Sequence, residues 1–289
     1  MPAQPNHGIG DGERQGRWRA IAGGPGEAES GGKGGRMTDG TKTATARGKA
    51  TEGKAANGTP AGTAKDAAAC ASAASGKDEE RGRLIEDVIA REWHQFQDTD
   101  NEGGRAACQG DWPTFHAMRL SQFAPWPVPL LASYLSDLED ADRTGRNLVA
   151  EKYARMMEST DPPAWAERIA GRIPRINAER QTLQERIIAR QVSWAADFRR
   201  RYPRLGRGMR RLRSSEDAPD ATSFETYLRG ELGTWSDRTL HLYATYVDDL
   251  AARRRNLTRD TIEITVRLAG FGSLDEAEAA QKSSSEDRR

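Results

Sequence analysis

A solitary lysine is the first residue of this sequence whose type points to chemistry. Lys152 is the only lysine between Lys77 and Lys282, whereas residues 81–289 contain 31 arginines. An ammonium group can lose its proton inside a protein, but a guanidinium group stays charged. We therefore predict that Lys152 serves as a proton carrier or a point charge in a functional site.

Three further polar residues surround this lysine on one predicted helix: Glu151, Tyr153 and Arg155. A guanidinium group can hold a carboxylate or a phosphate through two parallel hydrogen bonds, so Arg155 is predicted to clamp an anionic ligand. Tyr153 is a further candidate ligand contact. Glu151 is predicted to be an acid–base or orienting group beside the lysine.

A second group of polar residues lies in the segment 101–109, where two adjacent glycines allow a tight turn and a close approach of a ligand. Glu102 is a second candidate for acid–base chemistry, and Arg105 is a second candidate anion clamp. Gln109 and Arg119 are candidate ligand contacts. This hypothesis requires a cleft between the segment and the helix of the solitary lysine. The alternative is a turn that only caps a helix.

Other catalytic patterns have little support in the sequence. Cys108 has no histidine at a spacing that would tie the two together as nucleophile and base. The metal-binding patterns His-Glu-x-x-His and Glu-x-x-His are absent, so no metal site is predicted. The sequence identifies no cofactor.

The segment 199–213 contains eight arginines and no acid. Such a segment is typical of a surface that binds phosphate or nucleic acid. The alternative is an exposed loop whose charge is neutralised by neighbouring acids, among them Glu216 and Asp217. The eight candidates are Arg199, Arg200, Arg201, Arg204, Arg207, Arg210, Arg211 and Arg213.

The elements that must position these side chains are helices. After residue 80, apolar residues recur three and four positions apart, as on one face of a helix. Thr222, Ser236 and Ser273 are typical capping residues at predicted helix starts. No alternating strand pattern of useful length is present, so the predicted fold class is all-α.

Two stretches of the helical region resemble each other. At a shift of 109 residues, 115–158 aligns with 224–267 without a gap, and the identities include aromatic residues, which are predicted to be core, and an Arg-Asn-Leu helix entry. We therefore predict two similar helical units, an internal duplication, packed as one globular domain. The predicted boundaries are copy one at about 82–160, a linker at 161–181 and copy two at about 182–281.

The two copies differ at the solitary lysine. In copy two, Thr261 lies on a helix face that is mostly apolar. Lys152 occupies the matching position in copy one, and Arg155 follows on the same face. Because an unpaired cation is costly to bury, both are predicted to have acid partners or to line a wet cleft. The alternative is that this helix of copy one is rotated outward.

Composition divides the chain into a tail and a folded region. Residues 1–80 hold 17 of the 29 glycines without apolar periodicity, so they are predicted to be a disordered tail. The folded domain is predicted at 81–281, followed by a disordered C-terminus at 282–289. The folded region is formally neutral, so its charge does not indicate nucleic acid or membrane. With no apolar span and no signal segment, we expect a cytoplasmic location.

Four segments resemble a bacterial family of uncharacterised proteins, domain of unknown function 4125. These segments are 101–109, 118–122, 145–158 and 222–232. The resemblance covers about 82–281 and implies a helical protein of the bacterial cytoplasm. It implies no reaction, cofactor or catalytic residue.

Three hypotheses for the function follow. The leading one is an enzyme or a binding domain for a small anionic molecule, a carboxylate or a phosphate, in a cleft between the copies and mainly on copy one. The second is a module that binds nucleic acid or phosphate through the arginines of 199–213. The third is a helical interaction scaffold without chemistry.

Overall fold

The computed structural model describes Arg14, Trp18 and the ranges 63–99, 107–218 and 221–286. The chain divides into two units, one formed by residues 1–28 with 81–289 and the other by residues 29–80. In the second unit the described part is the beginning of one long helix. The other helices belong to the first unit.

Within the described residues the chain forms α-helices and no β-strand, which confirms the all-α prediction. The eleven helices of this part of the chain are α1 (Thr63–Gln97), α2 (Trp112–Phe123), α3 (Val128–Arg143), α4 (Leu148–Thr160), α5 (Pro162–Arg168), α6 (Ala178–Arg201), α7 (Pro203–Arg207), α8 (Phe224–Thr234), α9 (Asp237–Ala252), α10 (Leu257–Leu268) and α11 (Leu274–Glu286). Short 3-10 turns lie at Ala107–Gly110 and Ser214–Glu216.

The predicted tail contributes described residues to the fold. Helix α1 begins at Thr63, inside the segment predicted to be disordered. Trp18 is 1% exposed and packs in an apolar cluster with Phe198 and Phe271. Arg14 forms an ion pair with Glu276. The remaining residues before position 63 lie outside the described residues, and α11 continues past the predicted domain end at 281.

Side-chain caps mark where helices begin. Ser236 caps α9 by accepting a hydrogen bond from the amide of Thr239, as predicted. Ser273 accepts from the amide of Glu276. Helix α8 is capped by Ser223 rather than by Thr222, because the oxygen of Ser223 is the one that accepts from the third amide of the helix.

Asparagine starts both α4 and α10, which confirms the predicted helix entry. The side-chain oxygen of Asn147 accepts from the amide of Ala150, and that of Asn256 accepts from the amide of Arg259. Each asparagine also donates to a carbonyl of an earlier helix, Asn147 to Gln95 on α1 and Asn256 to Trp194 on α6. Each cap therefore also fixes its helix against a neighbour.

Four buried aromatic side chains meet in the core: Trp126, Tyr134, Trp235 and Tyr243. The ring centroids are 5.6 Å apart for Trp126 and Trp235, and 5.3 Å apart for Trp126 and Tyr243. Those of Tyr134 and Trp235 are 5.5 Å apart. Such pairs contribute about 0.5–1.5 kcal/mol each beyond the burial of their area. The prediction that the aromatic residues shared by both stretches form the core is confirmed for these four.

Two glycines let α4 and α8 pack closely. A Cβ atom on Gly230 would lie 2.9 Å from the carbonyl oxygen of Lys152 and 2.9 Å from Cγ of Met156. A Cβ atom on Gly233 would lie 2.7 Å from Cδ of Arg155. The contact at Gly230 is with the backbone, so this helix pair requires glycine there, whereas at Gly233 the Arg155 side chain would have to move.

We expect Gly230→Ala to destabilise the protein by about 1–3 kcal/mol, because the added methyl group forces α4 away from α8. At an open helical position the same change would stabilise by about 0.5–1 kcal/mol. Urea unfolding measures the difference. Gly82→Ala is the matched control, since Gly82 lies within α1 and no atom lies within 4 Å of a Cβ there. Equal free energies of unfolding for the two variants would contradict the prediction.

Candidate functional site

Arg119, a predicted ligand contact, is the centre of a buried ionic cluster. Its guanidinium group donates to both carboxylate oxygens of Glu92 and, over 2.9 Å, to Oε1 of Glu231. It also donates to Oε1 of Gln122 over 2.7 Å. Tyr134 donates to Oε1 of Glu92 over 2.6 Å. The hydrogen bonds of Arg119 are therefore made within the protein.

Lys152 is buried where α4 packs against α8. Its Nζ atom donates to the hydroxyl oxygen of Tyr227 over 2.9 Å. The same atom lies 4.5 Å from the ring centroid of Tyr227 and 5.4 Å from that of Tyr153. A desolvated cation over an aromatic ring is stabilised by about 2 kcal/mol. Lys152 thus points inward, and its hydrogen-bond partner is a phenol rather than the acid that the sequence suggested.

The hydroxyl group of Tyr227 lies among positive charges. Burial alone would raise its pKa, but the charges of Lys152 and Arg119 lower it. Arg210, whose guanidinium carbon lies 4.8 Å from the centroid of the Tyr227 ring, lowers it further. The net result is a pKa below the ordinary value of tyrosine. Such a phenol is better suited to exchanging protons near neutral pH.

Glu151 and Arg155, both predicted site residues, pair with each other along α4. Nη2 of Arg155 donates to Oε1 of Glu151 over 2.7 Å and to the carbonyl oxygen of Pro174 over 2.9 Å. Arg146 donates to the other oxygen of Glu151 over 2.6 Å. These bonds fix α4 to the chain that follows α5, which is a structural use of both side chains.

The structure gives Gln109 a capping position. Its amide nitrogen donates to the carbonyl oxygens of Phe96 (2.7 Å) and Thr99 (3.0 Å), so it holds the C-terminal end of α1. This matches the alternative reading of the segment as a cap. Glu102 and Arg105 lie outside the described residues, and the cleft proposed between them and the solitary lysine stays a prediction.

A cavity of about 220 Å³ lies between α2, α6, α8 and α10. Tyr227 lines it, together with apolar side chains such as Met118 and Leu228. Three of its cationic lining residues are Arg119, Arg199 and Arg210. A dry cavity of about 150 Å³ can hold benzene, so this cavity can hold a small organic molecule. Three of its four helices belong to the predicted second copy.

Arg199 has an unsatisfied donor at this cavity. Its Nη2 donates to the carbonyl oxygen of Arg210, whereas its buried Nε has no hydrogen-bond partner in the part of the chain that the structure describes. Burial lowers the pKa of its guanidinium group, and the charge of Glu216 only partly offsets this. A buried donor without an acceptor costs about 1–3 kcal/mol, which an acceptor on a ligand would recover.

Two acids hold the segment that carries Arg210. Oε2 of Glu216 accepts from the backbone amides of Leu212 (3.1 Å) and Arg213 (2.8 Å). Asp217 accepts from the backbone amide of Ser223 over 2.6 Å. The segment is thereby folded back beside α8, where Arg210 reaches the ring of Tyr227.

The arginines of 199–213 are distributed among different neighbours. Arg199 and Arg210 line the cavity. Arg200 pairs with Asp197, and Arg204 lies 3.6 Å from a carboxylate oxygen of α11. The segment therefore serves several local purposes, and nucleic-acid binding through it stays a prediction.

Tyr227, Glu92 and Glu231 did not stand out in the sequence. The alignment of the two stretches contained a signal, because Tyr227 falls opposite Met118 and Glu231 opposite Gln122. A phenol or a carboxylate on a face that must be buried requires a partner. Only the structure identifies those partners as Lys152 and Arg119.

Two features are absent from the described residues. No group of three or more His, Cys, Asp or Glu side chains in that part of the chain could hold a metal ion. None of its helices combines the length and the apolar character that crossing a membrane requires.

The ionic cluster predicts a pH-dependent stability. Burial alone would raise the pKa of Glu231, but Arg119 and Lys152 lower it below its ordinary value. The stabilisation is complete above the pKa of the unfolded chain, about 4.3, and is lost as the pH falls through the lower folded-state pKa. We expect Glu231→Gln to cost about 3–5 kcal/mol at neutral pH, because Arg119 then loses a buried partner, and progressively less below about pH 4.

Urea unfolding of both proteins between about pH 3 and pH 7 measures this difference. The matched control is Glu263→Gln, which removes a carboxylate from a more exposed helical pair with Arg267. A cost of Glu231→Gln that stays constant over this range would show that its charge is not stabilised in the folded state.

Comparison with known proteins places the chain in a family. No curated protein and no solved structure matches it. A family described as "Protein of unknown function (DUF4125)" matches residues 82–279. The match covers most of the chain, contains the ionic cluster and bears out the resemblance found in the sequence. The chain belongs to this family of proteins of unknown function, DUF4125.

Proposed function

We propose that this protein binds a small anionic molecule in the cavity beside Tyr227 and that Tyr227 exchanges a proton with it. The observation that carries the proposal is the 2.9 Å hydrogen bond from buried Lys152 to a tyrosine that lines the cavity. Lys152 acts through Tyr227: its charge favours the phenolate and orients the hydroxyl group. A positioned acid or base contributes about 10²–10⁴-fold to a rate.

The cations of the cavity support an anionic ligand. In the ionic cluster, Glu92 and Glu231 offset the charges of Arg119 and Lys152. Among the described residues, Arg199 has no acid partner within hydrogen-bonding distance, and its buried Nε has no acceptor. A guanidinium group is well suited to a carboxylate or a phosphate, so Arg199 is the proposed anion contact.

Lys152 remains a functional residue, as in the leading sequence hypothesis, but the ligand is now placed in the cavity beside Tyr227. The site no longer depends on the segment 101–109, and it lies mainly among helices of the predicted second copy. Binding of nucleic acid and a scaffold without chemistry stay predictions, and no contact described above favours either of them.

We infer further that the helical region is an internal duplication. Helices α3 and α9 have sixteen residues each, and α4 and α10 follow equivalent asparagine caps. Tyr134 forms a hydrogen bond with Glu92 on α1, and Tyr243, which aligns with Tyr134, forms one with Gln191 on α6. These correspondences support two units of the same architecture, in which the tyrosine of copy one is bonded to a charged residue and that of copy two to a neutral one.

The proposal predicts a change in the titration of Tyr227. Because the charge of Lys152 lowers the pKa of this phenol, Lys152→Met should raise it. The phenolate absorbance of each protein, taken as a difference from the same protein with Tyr227→Phe, isolates this single titration. The control is Arg143→Met, which removes an exposed cation of α3. An unchanged Tyr227 titration in Lys152→Met would sink the idea that the lysine polarises the phenol.

A thermal-shift screen of carboxylates and phosphate esters tests the ligand. A compound that binds in the cavity should raise the Tm of the wild type and of Arg143→Met. It should raise the Tm of Arg199→Met by a smaller amount. Lys152→Met should lower the rate of proton exchange with this compound more than it lowers the affinity for it. If no compound separates Arg199→Met from the control, the protein is better described as a scaffold.

A further inference from the structure

A second hollow, with a volume of about 580 Å³, lies at the end of α6 beside the corner between α9 and α10. We call it the cationic groove. Six arginines and two aspartates line it, which gives it a formal charge of +4. The arginines are Arg190, Arg200, Arg201, Arg254, Arg255 and Arg259.

The two aspartates of the groove are already engaged. Asp260 pairs with Arg255, and Asp197 pairs with Arg200 and Arg201. The three other arginines come from α6, from the corner and from the first turn of α10. Among the described residues, their guanidinium groups have no ion pair or hydrogen bond. Three exposed cations therefore converge on one hollow without local compensation.

Arg254 holds a backbone conformation that favours glycine. Its φ is +55°, and it follows the C-cap of α9 in a turn closed by the bond from the amide of Arg255 to the carbonyl of Leu250. The turns that end α3 and α10 have the same hydrogen bonding and place Gly145 (φ +71°) and Gly270 (φ +95°) at this position. A strained arginine where glycine would suffice points to a use for its side chain.

Aromatic side chains complete the groove. Trp194 and Tyr202, both half-buried, line it beside the arginines. The N-terminus of α10, capped by Asn256, also faces the hollow and adds the positive end of a helix. Guanidinium groups suit phosphate oxygens, and an aromatic face suits a planar heterocycle.

We propose that the cationic groove is a binding site for a nucleotide-sized phosphorylated molecule. The phosphate chain contacts Arg190, Arg254 and Arg259, and the planar ring of the molecule packs against Trp194 or Tyr202. This site is separate from the cavity beside Tyr227, and it does not depend on the function proposed there. A volume of about 580 Å³ is typical of sites for small molecules.

Isothermal titration of the full chain with ATP, with inorganic triphosphate and with a single-stranded oligonucleotide tests the proposal. We expect ATP to bind more tightly than triphosphate, because only ATP has a ring, and both to weaken with added salt. Arg254→Gly should weaken ATP binding about tenfold or more, since it removes one charge-assisted contact. Its Tm should be at least that of wild type, because glycine relieves the strained turn.

The matched control is Arg253→Ala, which removes the same charge from the adjacent residue, exposed and outside the groove lining. It should leave ATP affinity within about twofold of wild type. Equal losses in Arg253→Ala and Arg254→Gly would overturn the site in favour of unspecific attraction. Tighter binding of the oligonucleotide than of ATP, lost with Arg254→Gly, would replace the small ligand with a nucleic acid.

Discussion

The structure depends on the burial of four charges that balance each other. Glu92, Arg119, Lys152 and Glu231 are all withdrawn from water, and they come from four different helices. Taking one partner from a buried charge group costs about 3–5 kcal/mol, because the remaining charge is then uncompensated. The helices that carry these side chains are therefore constrained to one arrangement more strictly than apolar packing alone would require.

The same constraint explains why α4 and α8 approach so closely. The ammonium group of Lys152 must reach a phenol on α8, and this is possible only where the backbones nearly touch. Gly230 and Gly233 supply that approach. The cavity lies next to the charged region, so the phenol of Tyr227 has the ammonium group of Lys152 on one side and the cavity on the other. The groups that stabilise the fold and the groups proposed to do chemistry are thus partly the same.

Much of the fold could be predicted from local patterns. Helical periodicity, the asparagine entries at 147 and 256 and the shared aromatic residues depend on neighbours within a few positions, and the structure bears them out. The sequence does not decide whether Lys152 is buried, because a helix whose face aligns with an apolar face can still be rotated outward. Its partner could not be predicted, because Tyr227 is 75 positions away and its alignment with Met118 does not say which residue it contacts. The sequence likewise did not identify the capping position of Gln109 or the pairing of Glu151 with Arg155. A polar residue near a glycine turn or on a charged helix can stabilise local structure as readily as it can bind a ligand.

The solitary lysine also has a consequence for how the protein can be observed. Amine-selective reagents modify only an accessible, deprotonated lysine, and Lys152 is covered by α8 in the folded state. The other cationic residues between Lys77 and Lys282 are arginines, which such reagents leave unchanged. The rate at which the Lys152 peptide becomes acylated therefore reports how often α4 separates from α8, without any engineered label. If this opening is fast compared with acylation, the rate gives the free energy of local opening at the proposed site.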